Sequence, residues 1–562
     1  MHCPYARFTP GFGMTSVPPS RAWDALPRSV RLLAARGSTG RDHLAALAGE
    51  CLSLAGCLPP PQRASLAAMG RDALAAAWCA EPLSCDLGLL LSGLRGPDLP
   101  PLPEALRPVL SALPRHWRAP AEDDPWRGLS AVEARECLPG RMLREPNNIF
   151  WKAKAWNMAW PLAEWSLAEA ALAQDQWPKA LSPLRLHAQA LLRLAQDRPE
   201  EALALLDALA GFFPGGAPSL RAECLLRLGR AEEAAILLAE AVLASPWRTG
   251  ELLRLDDMLR GVDQQCNAVP GSTAIVLYTW NKASELDETL ASLAASDTQD
   301  AGIWVLDNGS SDATPEVIDR WRGVFGQRFS SLRLPVNVGA PAARNWLLSL
   351  AEVRSRDFIV FLDDDVTLPT DWLGRLGAAT VLAPQAQVWG CRVVDEANPL
   401  VAQSVDYTPL APRPAHSPNL LMHLPSMHLH QPDFGQFSYL RPCVSVTGCC
   451  HMLRASAIDT AGGFDIRFSP SQYDDLERDL RVFLSGGGVA YQGHLCVRHK
   501  RRSGFAAERS PAAVACAGAN LSKLQAKHGE ETLARISREG EELLERDMVE
   551  RFLRLDAMTV GG

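Results

Sequence analysis

Phe358-Ile-Val-Phe-Leu362 runs directly into Asp363-Asp364-Asp365. The five apolar residues predict a buried strand, and three carboxylates at its end cannot lose their water without partners. On an extended backbone Asp363 and Asp365 point to one side and Asp364 to the other. Two carboxylates on one side, at the mouth of a sheet, suit a hard cation such as Mg²⁺ or Mn²⁺ carrying phosphate oxygens. Taken by itself, the triplet reads equally as a solvated acidic loop.

Other segments narrow the choice. Asp307-Asn-Gly-Ser-Ser-Asp312 is a turn and helix cap, since Gly309 permits positive φ and the Asp and Ser side chains cap the next helix. Asn337-Val-Gly-Ala-Pro-Ala-Ala-Arg-Asn345 opens a helix at Gly339 with Pro341 in its first turn. Such a terminus presents free N–H groups to an anion, and Arg344 adds a charged fork suited to a diphosphate. No GxGxxG follows a strand and no GxxxxGK[ST] is present, so neither a dinucleotide fold nor a P-loop is supported. His423, His428 and His430 lie in a Pro-broken stretch without zinc spacing, which reads better as a loop closing over an acceptor. Cys449-Cys450 sit among apolar residues and are expected to be buried.

The elements that must position these residues alternate. Strands are expected at 273–278, 302–306, 332–334, 358–362 and 388–394, with helices at 284–296, 314–325, 340–352 and 372–380 between them. Alternating strands and helices with continuous apolar strands predict a mainly parallel α/β sheet with helices on both faces, binding ligands beyond the strands' carboxyl ends. Asp307 and Asp363 each follow a strand and so share one rim. Residues 22–265 are rich in Ala, Leu, Arg and Glu with Pro and Gly breaks, and predict an all-helical domain. Leu191-Leu-Arg-Leu194 recurs 34 residues later as Leu225-Leu-Arg-Leu228, and Glu200-Glu-Ala202 recurs 32 residues later, as if the second turn were two residues shorter. This helix-pair echo around 184–248 resembles the tetratricopeptide repeat, although two copies are fewer than a stacked array needs, and a plain bundle is the competing reading. Residues 1–21, rich in Pro, Gly, Ser and Thr, are expected to be disordered, and 511–562 to form C-terminal helices.

Composition excludes several classes. The net charge of −8, with no long basic run, argues against a nucleic-acid surface. The 14 cysteines show no CxxC pair, which points to free thiols in a reducing compartment. No apolar run approaches the roughly 20 residues of a membrane helix, and the first residues lack a signal-peptide core. A cytoplasmic chain without a transmembrane segment, or one held at a membrane only by a partner, is expected.

The ordered series Tyr278-Thr-Trp-Asn281, Leu306-Asp-Asn-Gly-Ser-Ser-Asp312, Asn337-Val-Gly, Ala343-Arg-Asn345 and Phe361-Leu-Asp-Asp-Asp365 resembles family-two inverting glycosyltransferases of the GT-A fold, in the rhamnosyltransferase-like branch. The likeness continues through Val446-Thr-Gly448, Gly462-Gly-Phe-Asp465, Tyr473-Asp-Asp-Leu-Glu477 and Val497-Arg-His499. The likeness covers roughly residues 272–530, implies a GT-A-like domain over 272–510, and says nothing about the helical half. The resemblance implies that Thr279, Asp307 and Asn308 line the base and ribose pocket, with Arg344 near the diphosphate. It implies a metal pair of Asp363 and Asp365 with His499 reaching the metal or diphosphate, and Asp364 nearer the sugar. Asp475 matches the general base, with Asp474 one register away because this chain has Asp-Asp where the family usually has Glu-Asp. Glu477, three residues after Asp474, is not excluded as the second carboxylate of a retaining reaction but reads better as part of a surface pair.

The implied reaction is sugar transfer from a nucleotide-sugar donor to a glycan, lipid-linked or protein acceptor, with Mn²⁺ or Mg²⁺. A metal clamp stabilises the leaving diphosphate and a carboxylate activates the acceptor hydroxyl. Two other readings compete: a nucleotidyltransferase on a related fold, which gives Asp474-Asp475 no role, and a non-catalytic scaffold whose helical half binds a protein partner.

Overall fold

A computed structural model describes residues 17–560, save 38–39, 97–98, 100, 174–176, 210, 213–216, 412–420, 423–431 and 501–510. The expected disorder of residues 1–16 and the three histidines at 423, 428 and 430 lie outside the described residues. The chain divides into two compact units, one of residues 1–259, 431–436 and 548–562, the other of 260–430 and 437–547.

The first unit is helical. Its first helix, Pro19–Asp24, begins inside the stretch expected to be disordered, because Pro19 can occupy the first turn without losing a needed N–H and Trp23 is fully buried. Trp23 packs against Phe552 at 5.2 Å, and Arg551 Nη1 donates to Asp256 and Asp257 at 2.9 Å each. The echoed sequence falls in two helical hairpins, Ser182–Ala195 with Pro199–Ala208 and Pro218–Arg227 with Ala231–Ala244. Both first helices end in the same left-handed cap. Asp197 (φ 56) and Gly229 (φ 72) take the left-handed position, and the N–H groups of Arg198 and Arg230 donate to the carbonyls of Arg193 (2.9 Å) and Leu225 (2.8 Å). The two turns are therefore equal in length, contrary to the sequence reading. The leucine motif simply sits two residues further along its helix in the second copy, since the cap and not the motif decides where the helix stops.

Among the described residues the second unit is built on a ten-stranded sheet. Its strands are Thr273–Thr279 (β1), Gly302–Asp307 (β2), Phe329–Arg333 (β3), Phe358–Leu362 (β4), Val366–Thr367 (β5), Ala386–Asp395 (β6), Ala402–Ser404 (β7), Leu440–Cys443 (β8), Cys450–Arg454 (β9) and Gly488–His499 (β10). The order is β3-β2-β1-β4-β9-β6-β10-β5, with β7 against β6 and β8 against β10. Strands β1, β2, β3, β4, β6 and β10 run one way and make the sheet mainly parallel, and β9 is inserted antiparallel between β4 and β6. Strands β1, β2 and β4 are buried almost throughout, as their unbroken apolar runs require. Strand β3 begins three residues before its expected start because it is the edge strand. Half exposed, it tolerates Ser330 and Ser331 and carries no apolar run to reveal it.

Two antiparallel pairings bring distant residues to the rim. β9 starts where β4 ends, and the Asp363 N–H donates to the Cys449 carbonyl at 2.9 Å. The end of β10 pairs antiparallel with β5, so His499 lies opposite Val366. The two-residue strand β5 is held from its other side by buried Thr289, whose hydroxyl donates to the Val366 carbonyl (2.9 Å) and accepts its N–H (3.0 Å). Thr289→Val keeps the shape and strands both backbone groups, so it should cost about 1–3 kcal/mol. Urea unfolding of the full chain reads that loss, and an unchanged midpoint would show that the hydroxyl does not anchor β5.

Candidate active site

The site grows from the end of β4. The backbone leaves the strand at Leu362 and turns through Asp364 and Asp365 before β5. The carboxylates therefore do not alternate as an extended chain would have them. Asp364 does not point away from Asp365, because one ammonium, Lys282 Nζ, lies 2.8 Å from Asp364 Oδ1 and 2.8 Å from Asp365 Oδ2. The expected convergence of Asp363 and Asp365 still occurs, through the turn, and His499 completes it. His499 Nε2 is 3.0 Å from Asp365 Oδ1 and 4.0 Å from Asp363 Oδ2. Its Nδ1 donates to Gln403 Oε1 at 2.8 Å, and Gln403 Nε2 donates to the His499 carbonyl at 3.2 Å, which fixes the amide's orientation. That arrangement leaves Nε2 turned to the two carboxylates.

The three acids experience different fields. Burial pushes Asp363 up, against the pull of Arg344. Burial also pushes Asp364 up, to about 6, although Lys282 opposes it. Asp365 is held low despite its burial, first by the hydrogen bond and charge of His499 and then by Lys282. His499 is raised, since Asp365 and Asp363 outweigh its burial.

Arg344 joins this cluster to the second acidic pair. It is buried in the helix Ala340–Ser349, with Nη1 2.6 Å from Asp474 Oδ2 and Nη2 3.3 Å from Asp363 Oδ1. Its guanidinium lies over Tyr278 (5.4 Å) and Phe464 (5.2 Å). The fork is thus engaged by carboxylates, where the sequence reading had it open to a diphosphate. Asn345 explains the rest of its motif: its side chain donates to the Phe464 carbonyl and accepts the Phe464 N–H, both at 2.7 Å. A Cβ at Gly463 would lie 2.4 Å from Asn345 Oδ1, so only glycine fits there.

Asp474 and Asp475 open the helix Asp474–Leu484 and differ sharply. Asp474 is buried against Arg344, and burial pushes its carboxyl up. Asp475 is half-buried and accepts the Gly448 N–H at 2.7 Å and its neighbour Leu476's N–H at 2.8 Å. A Cβ at Gly448 would come within 3.0 Å of Asp475 Oδ2 and 3.1 Å of Arg344 Nη2, so Gly448 clears space for both. Before this helix Gln472 (φ 80) and Tyr473 (φ 69) hold left-handed conformations, each costing about 1–3 kcal/mol. The loop is pinned from two sides. The Ala340 N–H donates to Pro470 O at 2.8 Å, and buried Asn520 Nδ2 donates to the carbonyls of Phe468 (2.9 Å), Ser471 (2.9 Å) and Gln472 (3.1 Å).

Glu477 is no surface residue. It is fully buried, 2.6 Å from Lys527 Nζ, 3.0 Å from Arg481 Nε and 3.4 Å from His528 Nε2. Burial would raise it, but these bonds bring it down to about 2. Its partners Lys527 and His528 come from the helix Pro511–Val560, which departs from helical geometry at Gly529 (φ 71).

On the other side of β1, Thr279 pairs in register with Asp307, and its carbonyl accepts the Asn308 N–H at 2.8 Å. Asp307 Oδ1 accepts the Ser310 N–H at 2.8 Å, while Oδ2 faces Arg333 Nε at 3.1 Å. Asn308 ties two loops together, donating to Asn337 Oδ1 (2.9 Å) and accepting the Val338 N–H (3.0 Å).

The predicted residues thus gather in two neighbouring groups: Thr279, Asp307 and Asn308 beside β1, and Asp363, Asp364, Asp365, His499, Arg344, Asp474 and Asp475 around the acidic turn. Asp363, Asp365 and His499 each offer one ligand atom, all within 4.8 Å of one another. Two carboxylates and one imidazole are a donor set that Mn²⁺ accepts readily, and Mg²⁺ through the oxygens. Sequence reasoning missed Lys282, Gln403, Arg333 and Asn520. Only Lys282, a basic residue at a strand-to-helix turn, gave any signal.

One buried acid within the helix Asp474–Leu484 makes stability depend on pH. Burial pushes Asp479 up to about 7, against Arg478 beside it and the hydrogen bonds from Ser445 Oγ (2.8 Å) and the Val446 N–H (3.1 Å). From about pH 4 to about 7 the folded chain keeps this proton and the unfolded chain has lost it. This group therefore makes stability fall with rising pH, by about 1.4 kcal/mol per unit. Asp479→Asn should remove that slope from urea unfolding followed across the window; an unchanged slope would place the proton elsewhere.

Comparison with known proteins finds relatives over part of the chain. A stretch of 214 residues is 25% identical to the O-antigen biosynthesis protein RfbC of Myxococcus xanthus, covering 38% of this chain and 16% of that protein. A stretch of 130 residues is 32% identical to the abequosyltransferase RfbV of Salmonella typhimurium, covering 22% and 38%. The chain therefore spans well under two thirds of either relative. Among solved structures, S. aureus TarS 1-349 in complex with UDP-GlcNAc gives a TM-score of 0.34 at 16% identity, covering 48% of this chain and 71% of that one. GalNAc-T7 with UDP, GalNAc and Mn²⁺ gives 0.37 at 12% identity, covering 50% and 55%. Both scores are too low to bear on function. Residues 274–460, which carry Thr279, Asp307, Arg344, the acidic turn and Gly448, match the family described as Glycosyl transferase family 2 and form a domain of that kind.

Proposed function

We propose that this chain moves a sugar from a nucleoside-diphosphate donor to an acceptor hydroxyl, with inversion at the anomeric carbon and with Mn²⁺ or Mg²⁺. The observation that carries the reading is one connected cluster: Asp363, Asp365 and His499 converge, and Arg344 joins Asp363 to Asp474 beside Asp475. The match of residues 274–460 to a glycosyltransferase family supports it, although Asp474, Asp475 and His499 lie beyond that stretch.

Asp363, Asp365 and His499 would hold the metal, which when bound supplies charge stabilisation for the departing diphosphate. Asp475 is the general base. Asp474 is committed to Arg344, whereas Asp475 keeps solvent access and is held by the Gly448 N–H. Asp475 takes the acceptor's proton as its oxygen bonds to the anomeric carbon, and the bond to the diphosphate breaks with its electron pair leaving on the nucleotide. Thr279, Asp307 and Asn308 line the nucleoside pocket. Arg344 acts near the diphosphate by neutralising Asp363 and Asp474. The names of the curated relatives favour a saccharide acceptor, free or lipid-linked, over a protein.

A panel of nucleotide sugars incubated with the full chain tests the reading. Nucleoside-diphosphate release should require Mn²⁺ or Mg²⁺ and stop with a chelator or with Asp363→Asn; release that survives the chelator overturns the metal assignment. Asp475→Asn should lower transfer by about 10²–10⁴-fold with donor affinity kept. A larger loss in Asp474→Asn would move the base by one residue.

The helical unit is assigned to gripping the acceptor or a protein partner, since its stacked hairpins add a surface that a small sugar acceptor does not require. A chain limited to residues 260–547, the bounds of the sheet unit, should still hydrolyse donor and lose transfer to its native acceptor. Full transfer by that shortened chain would rule the assignment out.

A further inference from the structure

Each carboxylate of the proposed metal pair divides its two oxygens in the same way. Asp363 turns Oδ2 toward His499 and has Oδ1 3.3 Å from Arg344. Asp365 turns Oδ1 toward His499 and has Oδ2 2.8 Å from Lys282. The inner oxygens face the imidazole and the outer ones each meet a cation. Arg344 is fixed by its second bond, to Asp474. Lys282 is fixed by its second bond, to Asp364 Oδ1 at 2.8 Å, and by the backbone on both sides of it. Asn281, at φ 51, donates its N–H to Ser310 Oγ (2.9 Å) and accepts the Ser311 N–H on Oδ1 (2.7 Å). The Ala283 N–H donates to Asp312 Oδ2 at 3.1 Å. The loop after β2 thereby holds the backbone from which Lys282 reaches across to the acidic turn.

We infer that Lys282 is a positioning residue for the divalent cation: its ammonium locks Asp365, together with Asp364, so that one Asp365 oxygen stays turned to the metal side. The inference rests on the metal reading above and deepens it. Two effects of opposite sign meet at this residue. As a cation near the site Lys282 repels a second cation, which by itself would weaken metal binding. As the shared partner of two adjacent carboxylates it removes their mutual repulsion and their freedom to rotate. The second effect prevails, because no metal at Asp363, Asp365 and His499 would neutralise Asp364, whose buried oxygen Lys282 holds. Partners that orient a metal's ligands typically contribute 10–100-fold in affinity.

The test uses Mn²⁺ alone, with free Mn²⁺ followed by electron paramagnetic resonance during titration of the full chain. Lys282→Met should bind Mn²⁺ about 10–100-fold more weakly than wild type, and Lys282→Arg should recover most of the loss. Should Lys282→Met fail to fold, Lys282→Gln decides, since it keeps a donor and loses the charge: weaker binding supports positioning, and equal or tighter binding overturns it. Thermal unfolding without metal separates a folding defect from a site defect, because only the latter changes Mn²⁺ affinity at an unchanged midpoint. Wild-type chain that binds no Mn²⁺ overturns the metal reading and this inference together. Binding by wild type that Lys282→Met retains or tightens overturns the inference alone.

Discussion

The organisation of this site depends on one buried guanidinium. Arg344 lies between Asp363 and Asp474, two carboxylates from segments more than a hundred residues apart. Neither acid could be buried and charged without a partner, since the cost of dehydrating an isolated carboxylate exceeds what packing returns. A fork with two donors at a fixed angle satisfies both. The guanidinium also lies over the rings of Tyr278 and Phe464, whose faces attract its charge. The end of β4, the helix that carries Arg344 and the helix that carries Asp475 are thereby set relative to one another.

Around that link the fold places cations at the outer oxygens of the acidic turn and leaves the inner oxygens facing His499. The arrangement explains why burial and charge drive the neighbouring acids apart, with Asp363 and Asp364 raised and Asp365 lowered. It also explains the strained backbone before Asp474. Gln472 and Tyr473 can hold left-handed conformations because Asn520 and the Ala340 N–H between them bind four carbonyls of residues 468–472. Strain of this size persists only where the surroundings over-determine the conformation.

Much of this was legible in the sequence, and the reason differs from residue to residue. Apolar runs bounded by turn residues marked β1, β2 and β4, because strands buried on both faces must be continuously apolar. The edge strand β3 hid its true start, because a half-exposed strand need not be apolar. Asp363, Asp365 and His499 were readable as a set only through a family resemblance, since nothing local to His499 announces that β10 will pair with β5. The surface reading of Glu477 failed for a related reason. Its i, i+3 neighbour on the helix was visible, but the lysine and histidine that bury it come from another helix.

The sequence by itself determined the alternation of strands and helices, the rim on which Asp307 and the acidic turn both emerge, and the helix pairs of the first unit. These follow from short-range rules: periodicity, caps and the impossibility of burying bare backbone or charge. Tertiary structure alone decided which oxygen of each carboxylate meets a cation, and that Asp475 rather than Asp474 keeps access to solvent. It also decided that Lys282 belongs to the acidic turn and Asn520 to the loop before the helix that opens at Asp474. Such choices depend on distances between segments remote in the chain, and Coulomb and hydrogen-bond energies change over a single ångström that no residue pattern records.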